Sequence, residues 1–384
     1  MAEPVYSVFV GAEIGLLKGA NCEDRAWGNL NELHEVKREN EITCMCWLNR
    51  KQTKFYYGQE SRIVTTFDVE AGKITRQVKM NIGEGRFKSI YPYQKKIITA
   101  VSSGDINLWT KKGKNLLKIS GGIDLNCVQQ DPVQTHLIAS GGKENPLKLW
   151  DINSPTSPIF VSKNVSEDWL RLRVPIMIST INFIPQSSKI VTGTELCQIR
   201  LYDPSAHKRK PVLDVQCGDS PITALAVNPS GNQIIVGSSK GDMVSMDIRK
   251  GKITGKFKGF SGGIRGIQCH PTLPYVATCG LDRHLRVHHL VSREMLYSFY
   301  LKSRLNCLLF AKNWPSAEES ANSCPNNENS TVDQNGGDDG PDDLWDKMPV
   351  LQTENTTETP SGNANKKRKS NNKSKSSKKN KTSE

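Results

Sequence analysis

Long apolar runs are missing from this chain of 384 residues. A membrane-spanning helix needs about 20 consecutive apolar residues. Because no stretch approaches that length, we do not expect the chain to be an integral membrane protein. The first six residues contain no basic region followed by an apolar one, which argues against a secretory signal. The ten cysteines are not densely spaced, and several lie in apolar runs. This pattern predicts reduced thiols in an intracellular compartment.

Catalytic motifs are also missing. The chain has no Walker phosphate-binding loop and no Cys-x-x-Cys pair. Four histidines and two cysteines between residues 269 and 289 lack the spacing of metal ligands. They are His270, His284, His288, His289, Cys269 and Cys279. We therefore expect no catalytic residue, no metal and no cofactor. The missing motifs favour a scaffold over an enzyme.

The net charge of +13 is unevenly distributed along the chain. Residues 1–311 contain 41 basic and 27 acidic side chains, residues 312–360 contain 2 and 11, and residues 361–384 contain 9 and 1. The last two regions are poor in apolar residues, so they are predicted to be an acidic disordered linker and a basic disordered tail. The basic body is predicted to favour polyanionic partners, of which nucleic acid is the commonest inside cells.

A repeat of 40–45 residues, typical of WD-type β-propellers, organises the body. Short strand-like runs place a bulky residue before a polar one, and successive bulky positions lie 42, 41, 52, 44 and 42 residues apart. These positions are Phe67, Trp109, Trp150, Tyr202, Met246 and His288. A degenerate copy at 15–19 makes seven units, and each unit is predicted to contain four antiparallel strands, of which the outermost is polar. The predicted fold is therefore all-β, a seven-bladed WD-type propeller over residues 1–311.

A second marker predicts where each unit begins and how the ring closes. Alternating apolar runs begin at Ile42, Phe87, Leu125, Ile178, Ile222 and Ile264. The first unit has no such run, whereas a spare one at 304–310 follows the seventh unit. We expect 304–310 to supply the innermost strand of the first blade, which would leave no long free edge.

Three segments are candidates for partner binding. The unit between Trp150 and Tyr202 exceeds the period by about ten residues, and its excess contains a tryptophan between basic residues. Such an insert is typical of an interface anchor or an RNA contact; the alternative is that Trp169 packs onto its own blade. Its candidate residues are Lys163, Asn164, Trp169, Arg171 and Arg173.

The other two segments lie in the polar C-terminal regions. Leu344 and Trp345 are isolated apolar residues in the acidic linker, typical of a short recognition motif or an accident of composition. The basic tail predicts a nuclear or nucleolar import signal or a nucleic-acid patch. Its residues are Lys366, Lys367, Arg368, Lys369, Lys373, Lys375, Lys378, Lys379 and Lys381.

Four stretches of the body resemble a known family. They are 141–151, 163–175, 279–283 and 300–307, and they are similar to the family of animal WD-repeat protein seventy-four, whose fungal counterpart is called Nop-seven-associated protein one. The likeness spans most of 5–310, with a weaker echo at 342–345 and in the basic tail. The stretch at 163–175 is the most specific, because generic WD repeats do not carry it.

The resemblance implies a seven-bladed propeller in the nucleolus that helps assemble the large (60S) ribosomal subunit and process its RNA. It also implies association with pre-ribosomal RNA and with other proteins of the pre-ribosomal particle, as a monomer within a larger complex. Further implied partners are a remodelling AAA-type ATPase and the RNA helicase of the exosome. The rival hypothesis is a generic protein–protein adaptor in a nuclear ubiquitin ligase or chromatin complex.

Overall fold

The structure, a computed structural model, describes residues 6–32, 36–206, 208–312 and 314. Twenty-eight β-strands occur in these ranges, together with one 3-10 turn at Arg38–Asn40. The first fourteen strands are β1 (Val8–Ala12), β2 (Leu17–Asn21), β3 (Ala26–Asn29), β4 (Ile42–Trp47), β5 (Lys54–Gln59), β6 (Ile63–Asp68), β7 (Lys73–Lys79), β8 (Phe87–Tyr93), β9 (Lys96–Val101), β10 (Asp105–Thr110), β11 (Asn115–Ser120), β12 (Leu125–Gln130), β13 (Leu137–Gly142) and β14 (Asn145–Asp151). The remaining strands are β15 (Phe160–Val161), β16 (Ile178–Phe183), β17 (Ile190–Thr194), β18 (Gln198–Tyr202), β19 (Leu213–Gln216), β20 (Ile222–Val227), β21 (Gln233–Ser238), β22 (Met243–Asp247), β23 (Lys252–Phe257), β24 (Ile264–Cys269), β25 (Tyr275–Gly280), β26 (His284–His289), β27 (Met295–Tyr300) and β28 (Leu305–Phe310).

The strands form seven four-stranded antiparallel sheets within the described residues, and these are the blades of a propeller. Blades two to seven each use four consecutive strands, starting with β4, β8, β12, β16, β20 and β24. Those six strands begin at the six residues where the sequence predicts the start of an alternating run. The predicted all-β, seven-bladed fold is confirmed.

The ring closes through the end of the chain. The first blade has the strand order β28-β1-β2-β3, and β28 pairs antiparallel with β1, with Val8 opposite Phe310. β28 also packs against β24 and β4, the innermost strands of the two neighbouring blades. The first blade thus joins both ends of the described body in one sheet, which removes an open edge from the ring.

The bulky repeat residues lie on the third strand of their blades and are buried. Phe67, Trp109, Trp150, Tyr202, Met246 and His288 are each at most 6 % exposed. The indole Nε1–H of Trp109 donates to Thr99 Oγ1 at 2.8 Å, and that of Trp150 donates to Ser140 Oγ at 2.9 Å. A tryptophan at this position therefore fills the space between blades and also satisfies its only polar atom on the neighbouring strand.

The outer strand of the fourth blade is shorter than the sequence predicts. The sequence predicts an outer strand over 158–162, but β15 spans only two residues. Pro158 has no N–H to give to the sheet. At the other end the Lys163 N–H donates to Arg209 O at 3.0 Å, so the chain turns away from its own blade. This early departure is where the insert begins.

The cysteines of the described residues are free, and most are buried. Burial raises the pKa of Cys44 to about 12 and that of Cys22 to about 12, so both remain thiols. These groups pack as small apolar side chains, as the sequence predicts. None of the helices in the described ranges is both long and apolar enough to cross a membrane.

Two sets of loops define two faces of the ring. Because neighbouring strands are antiparallel, the connections from first to second and from third to fourth strand of each blade lie on one side, here the lower face. All remaining connections lie on the upper face. The lower face comprises 22–25, 48–53, 69–72, 94–95, 111–114, 131–136, 152–159, 184–189, 203–206, 208–212, 228–232, 248–251, 270–274 and 290–294. The upper face comprises 13–16, 30–32, 36–41, 60–62, 80–86, 102–104, 121–124, 143–144, 162–177, 195–197, 217–221, 239–242, 258–263, 281–283 and 301–304.

Candidate functional site

The insert, residues 162–177, joins the outer strand β15 of the fourth blade to the inner strand β16 of the fifth. It is attached to the body at its beginning and at its end. Near its beginning, Lys210 Nζ donates to Ser166 Oγ at 3.3 Å. Across its base, Asn164 Nδ2 donates to Val174 O at 2.7 Å. These contacts hold a long connection in one conformation.

The end of the insert is fixed by Glu144, which lies in the turn between β13 and β14. Its carboxylate pairs with Arg173 Nη2 at 2.6 Å and accepts the Ile176 N–H at 3.3 Å, while its own N–H donates to Ile176 O at 2.7 Å. The sequence marks Arg173 as a candidate contact for a partner; in the structure this side chain also positions the insert. Sequence reasoning missed Glu144, since nothing in the chain order links it to Arg173.

The tip of the insert, residues 168–172, is a tight turn that we call the knuckle. The Asp168 carboxylate accepts the N–H groups of Leu170 and Leu172 at 2.9 and 2.8 Å. The backbones of Asp168 and Leu172 are also bonded, at 3.0 Å. Arg171 has φ +61° and so occupies the left-handed region that closes such a turn. The knuckle is built from its own backbone and one carboxylate, and its apolar side chains take no part in folding it.

The apolar side chains of the knuckle point into solvent. Trp169 is 88 % exposed, Leu170 55 % and Leu172 58 %. The alternative that Trp169 packs onto its own blade is therefore not the arrangement in the structure. Large apolar side chains that are exposed together mark interaction surfaces. Sequence reasoning missed the two leucines because their exposure depends on the turn geometry.

A polar cavity of about 610 Å³ lies on the axis of the ring and opens at the upper face. Its charged lining consists of Glu13, Arg38, Glu41, Arg86, Lys88, Arg265 and Arg304. Arg38 and Arg304 pair with Glu13 at 3.1 and 3.5 Å, so much of this charge is compensated within the cavity. Deeper inside, burial and the nearby Arg86 lower the pKa of Lys88. Burial and a hydrogen bond with Glu60 raise the pKa of Glu41.

The histidines of the seventh blade have structural surroundings. His270 Nδ1 accepts the Leu273 N–H at 2.9 Å, and the ring packs against Phe310. His288 lies between Phe257 and Phe260, and its Nε2–H donates to Lys258 O at 3.1 Å. Across the described ranges, no three or more His, Cys, Asp or Glu side chains come together in a way that could hold a metal ion.

The other predicted site residues lie outside the described residues. These are Leu344 and Trp345 of the acidic linker, and Lys366, Lys367, Arg368, Lys369, Lys373, Lys375, Lys378, Lys379 and Lys381 of the basic tail. Most of the predicted linker and all of the predicted tail also lie outside the described residues. Lys163 is exposed at the start of the insert, on the same segment as Asn164 and the knuckle.

Seven four-stranded blades, two of which have a third-strand tryptophan bonded to the neighbouring strand, define a WD-repeat β-propeller. In agreement, residues 251–289 match the family model described as WD domain, G-beta repeat. The chain is 38 % identical over 349 residues to WD repeat-containing protein 74 of Bos taurus and equally to that of Homo sapiens, covering 88 % of each chain. It therefore belongs to the WD repeat-containing protein 74 family, which confirms the resemblance stated from the sequence.

A fungal relative matches over a shorter range. The ribosome biogenesis protein NSA1 of Meyerozyma guilliermondii is 32 % identical over 234 residues, which cover 52 % of this chain and 58 % of the relative. The NSA1 of Saccharomyces cerevisiae is 25 % identical over 256 residues, covering 55 % of each chain. The similarity to fungal ribosome biogenesis proteins thus extends over about half of the chain.

Proposed function

We propose that this protein is a non-enzymatic scaffold in the assembly of the large ribosomal subunit and the processing of its RNA, and that it works in the nucleolus. Its family membership and its similarity to the fungal ribosome biogenesis proteins NSA1 support this role. The positive charge of residues 1–311 suits a particle built on RNA, because neutralising phosphates releases counterions. The partners of the scaffold are pre-ribosomal RNA and other assembly proteins.

The observation that carries the scaffold role is the preformed knuckle. Interface energy is concentrated in a few residues, and tryptophan and arginine are the commonest of them. The knuckle presents Trp169 together with the exposed Leu170 and Leu172, and the exposed Arg171 and Arg173 belong to the same segment. Because the turn is already closed by its own hydrogen bonds, docking would lose little conformational entropy there. We infer that Trp169, together with Lys163, Asn164 and the two arginines, anchors the propeller to a protein of the pre-ribosomal particle.

The remaining partners follow from the family resemblance alone. They are a remodelling AAA-type ATPase, which would release the scaffold, and the RNA helicase of the exosome. Leu344 and Trp345 form a candidate motif for one of these partners. The nine basic residues of the tail are proposed to direct the chain to the nucleus and nucleolus.

Sedimentation of tagged full-length protein from nuclear extract tests the scaffold role. We expect co-migration with large-subunit precursors that is lost after ribonuclease treatment. A ribonuclease-resistant complex of a few hundred kilodaltons without precursor RNA would instead support the rival adaptor hypothesis. Protein that sediments alone would contradict both.

Variants of the knuckle test the anchor within the same assay. Trp169→Ala should reduce recruitment at least tenfold, because losing a central anchor costs about 2 kcal/mol or more. Its thermal unfolding should not change, because the side chain is 88 % exposed. Arg171→Glu combined with Arg173→Glu should also abolish recruitment. Ile123→Ala is the matched control, since Ile123 is an 80 % exposed apolar residue elsewhere on the upper face. Normal recruitment of Trp169→Ala would show that the knuckle is not the anchor.

A further inference from the structure

The two faces of the propeller carry very different charge. The loops of the lower face contain 14 Lys and Arg against 6 Asp and Glu. The described loops of the upper face contain 13 against 14. The net positive charge of the described loops therefore lies on the lower face, although the chain order shows no such division.

The densest part of this charge lies on the second and third blades. Six cations occupy three neighbouring loops, and we call them the lower basic cluster: Arg50, Lys51, Lys95, Lys111, Lys112 and Lys114. All six are exposed, and among the described residues none of them forms an ion pair. By contrast, Arg38, Arg86 and Arg304 at the cavity mouth of the upper face share two carboxylates. The lower cluster thus has positive charge that is not compensated by the protein.

A second group of cations lies on the fifth and sixth blades of the same face. Lys208, Arg209 and Lys210 follow β18, and Arg249 and Lys250 follow β22. Lys210 is bonded to the insert through Ser166. Cations on several blades of one face suit a long, flexible polyanion better than a compact acidic ligand, because the strand can follow them from blade to blade.

A crevice beside the lower basic cluster suits an unpaired nucleotide. It has a volume of about 290 Å³ and lies between the second and third blades. Leu48, Val78 and Ile97 give it apolar walls, and Arg76 and Lys111 bring positive charge to it. An unpaired base can enter such a space while its phosphates contact the cations, whereas a duplex keeps its bases stacked inside.

We infer that the lower face is the RNA-binding face of this propeller, with the lower basic cluster as its main contact and single-stranded RNA as its ligand. The inference rests on the proposed function and assigns RNA and protein to different faces of the propeller. RNA lies against the lower face, and the knuckle, which belongs to the upper-face connections, binds protein.

Crosslinking locates the RNA directly in the full-length protein. The probe is a 20-nucleotide, mixed-sequence single-stranded RNA that is crosslinked by ultraviolet light, and the modified peptides are identified by mass spectrometry. We expect crosslinks in the loops 48–53, 94–95 and 111–114. Crosslinks confined to upper-face loops or to the basic tail would overturn the assignment. Mapping distinguishes these loops from the tail, whose 9 basic residues would also attract a polyanion.

Charge reversal tests whether these contacts carry affinity. Lys111, Lys112 and Lys114 are replaced together by Glu, and the matched control replaces Lys37, Lys240 and Lys258, exposed upper-face residues, with the same change in net charge. The first variant should lose at least tenfold in affinity, and its log–log salt slope should fall by about 2, since each phosphate contact of a single strand contributes about 0.7. The control should change affinity less than threefold. A second lower-face variant, Arg50→Glu with Lys51→Glu and Lys95→Glu, tests the same contacts if the first variant does not fold.

The outcomes separate failure of the inference from failure of the proposed function. If the wild-type protein binds no RNA, the RNA-binding part of the proposed function is wrong and the inference falls with it. If the wild type binds RNA but the control loses as much affinity as both lower-face variants, only the face assignment is wrong. If both lower-face variants bind RNA normally but fail to join precursors, this face binds an acidic protein instead.

Discussion

Removing the closing strand β28 should unfold the whole propeller, and the structure allows the size of the effect to be worked out. The strand buries four large apolar side chains: Leu305 is 0 % exposed, Leu308 8 %, Leu309 5 % and Phe310 1 %. At about 1.5–3 kcal/mol each, their burial contributes about 6–12 kcal/mol as an upper estimate. A whole domain of this kind is stable by only about 5–15 kcal/mol. Loss of the strand therefore removes most or all of the free energy that stabilises the folded domain.

The strand also supplies hydrogen bonds that hold neighbouring blades. Phe310 O accepts the Trp47 Nε1–H of the second blade at 2.9 Å, and the Phe310 N–H donates to Gln268 Oε1 of the seventh at 2.9 Å. The strand thus joins three blades, so its loss should affect the ring as a unit. Trp314, just beyond it, packs against Phe310 and Tyr275 with ring centroids 5.4 and 5.3 Å apart.

Two truncated chains test this prediction by circular dichroism during thermal and urea unfolding. A chain ending at Lys302 should show no cooperative transition, whereas one ending at Glu318, which keeps Trp314, should unfold like the full chain. A chain ending at Lys312 should still fold, with a somewhat lower midpoint because Trp314 is lost. In the full-length protein, Phe310→Ala should lower the free energy of unfolding by about 3–5 kcal/mol. A cooperative transition at an unchanged midpoint in the chain ending at Lys302 would refute this account of ring closure.

Two further predictions concern buried polar groups. Ser140→Ala removes the acceptor of the buried Trp150 Nε1–H and should lower the free energy of unfolding by about 1–3 kcal/mol in a urea titration; an unchanged value would mean that the bond contributes no net stability. Burial lowers the pKa of His288 below its ordinary value of about 6.5, so the folded protein keeps neutral a ring that the unfolded chain protonates. Stability should therefore fall as the pH drops below about 6.5, and His288→Gln should flatten that decline in thermal unfolding, whereas His136→Gln on a lower-face loop should not. Equal slopes in both variants and the wild type would contradict the role of His288.

The sequence predicted the fold in detail because its signals are local and repeated. Each inner strand alternates apolar and polar residues, and each third strand places one bulky residue at a fixed distance from it. The sequence predicted the length of individual strands less well. The fourth blade has an outer strand of only two residues, since Pro158 gives no N–H to the sheet and the insert leaves at Lys163. Nothing in the sequence pattern of that segment predicts that the chain leaves its blade there.

The candidate site could be located from the sequence, but its form could not be predicted. An insert of about ten residues is visible as a departure from the period, and Trp169 stands out within it by residue type. Whether that tryptophan packs inward depends on Asp168 closing the turn and on Glu144 holding Arg173. These partners come from the turn itself and from a different hairpin, so only the folded chain shows an exposed knuckle.

The sequence by itself determined the number of blades, the order of their strands and the segment that closes the ring, because strand alternation and repeat spacing are encoded over short distances. Only the tertiary structure decided which charges act together. Lys51 lies 44 residues before Lys95, with the acidic Glu60 and Glu84 between them, and Lys112 follows Lys95 by 17 residues. Antiparallel pairing directs the loops with these lysines to the lower face and those with the acidic residues to the upper face. A chain with scattered charge thereby folds into a ring with one basic face and one nearly neutral face.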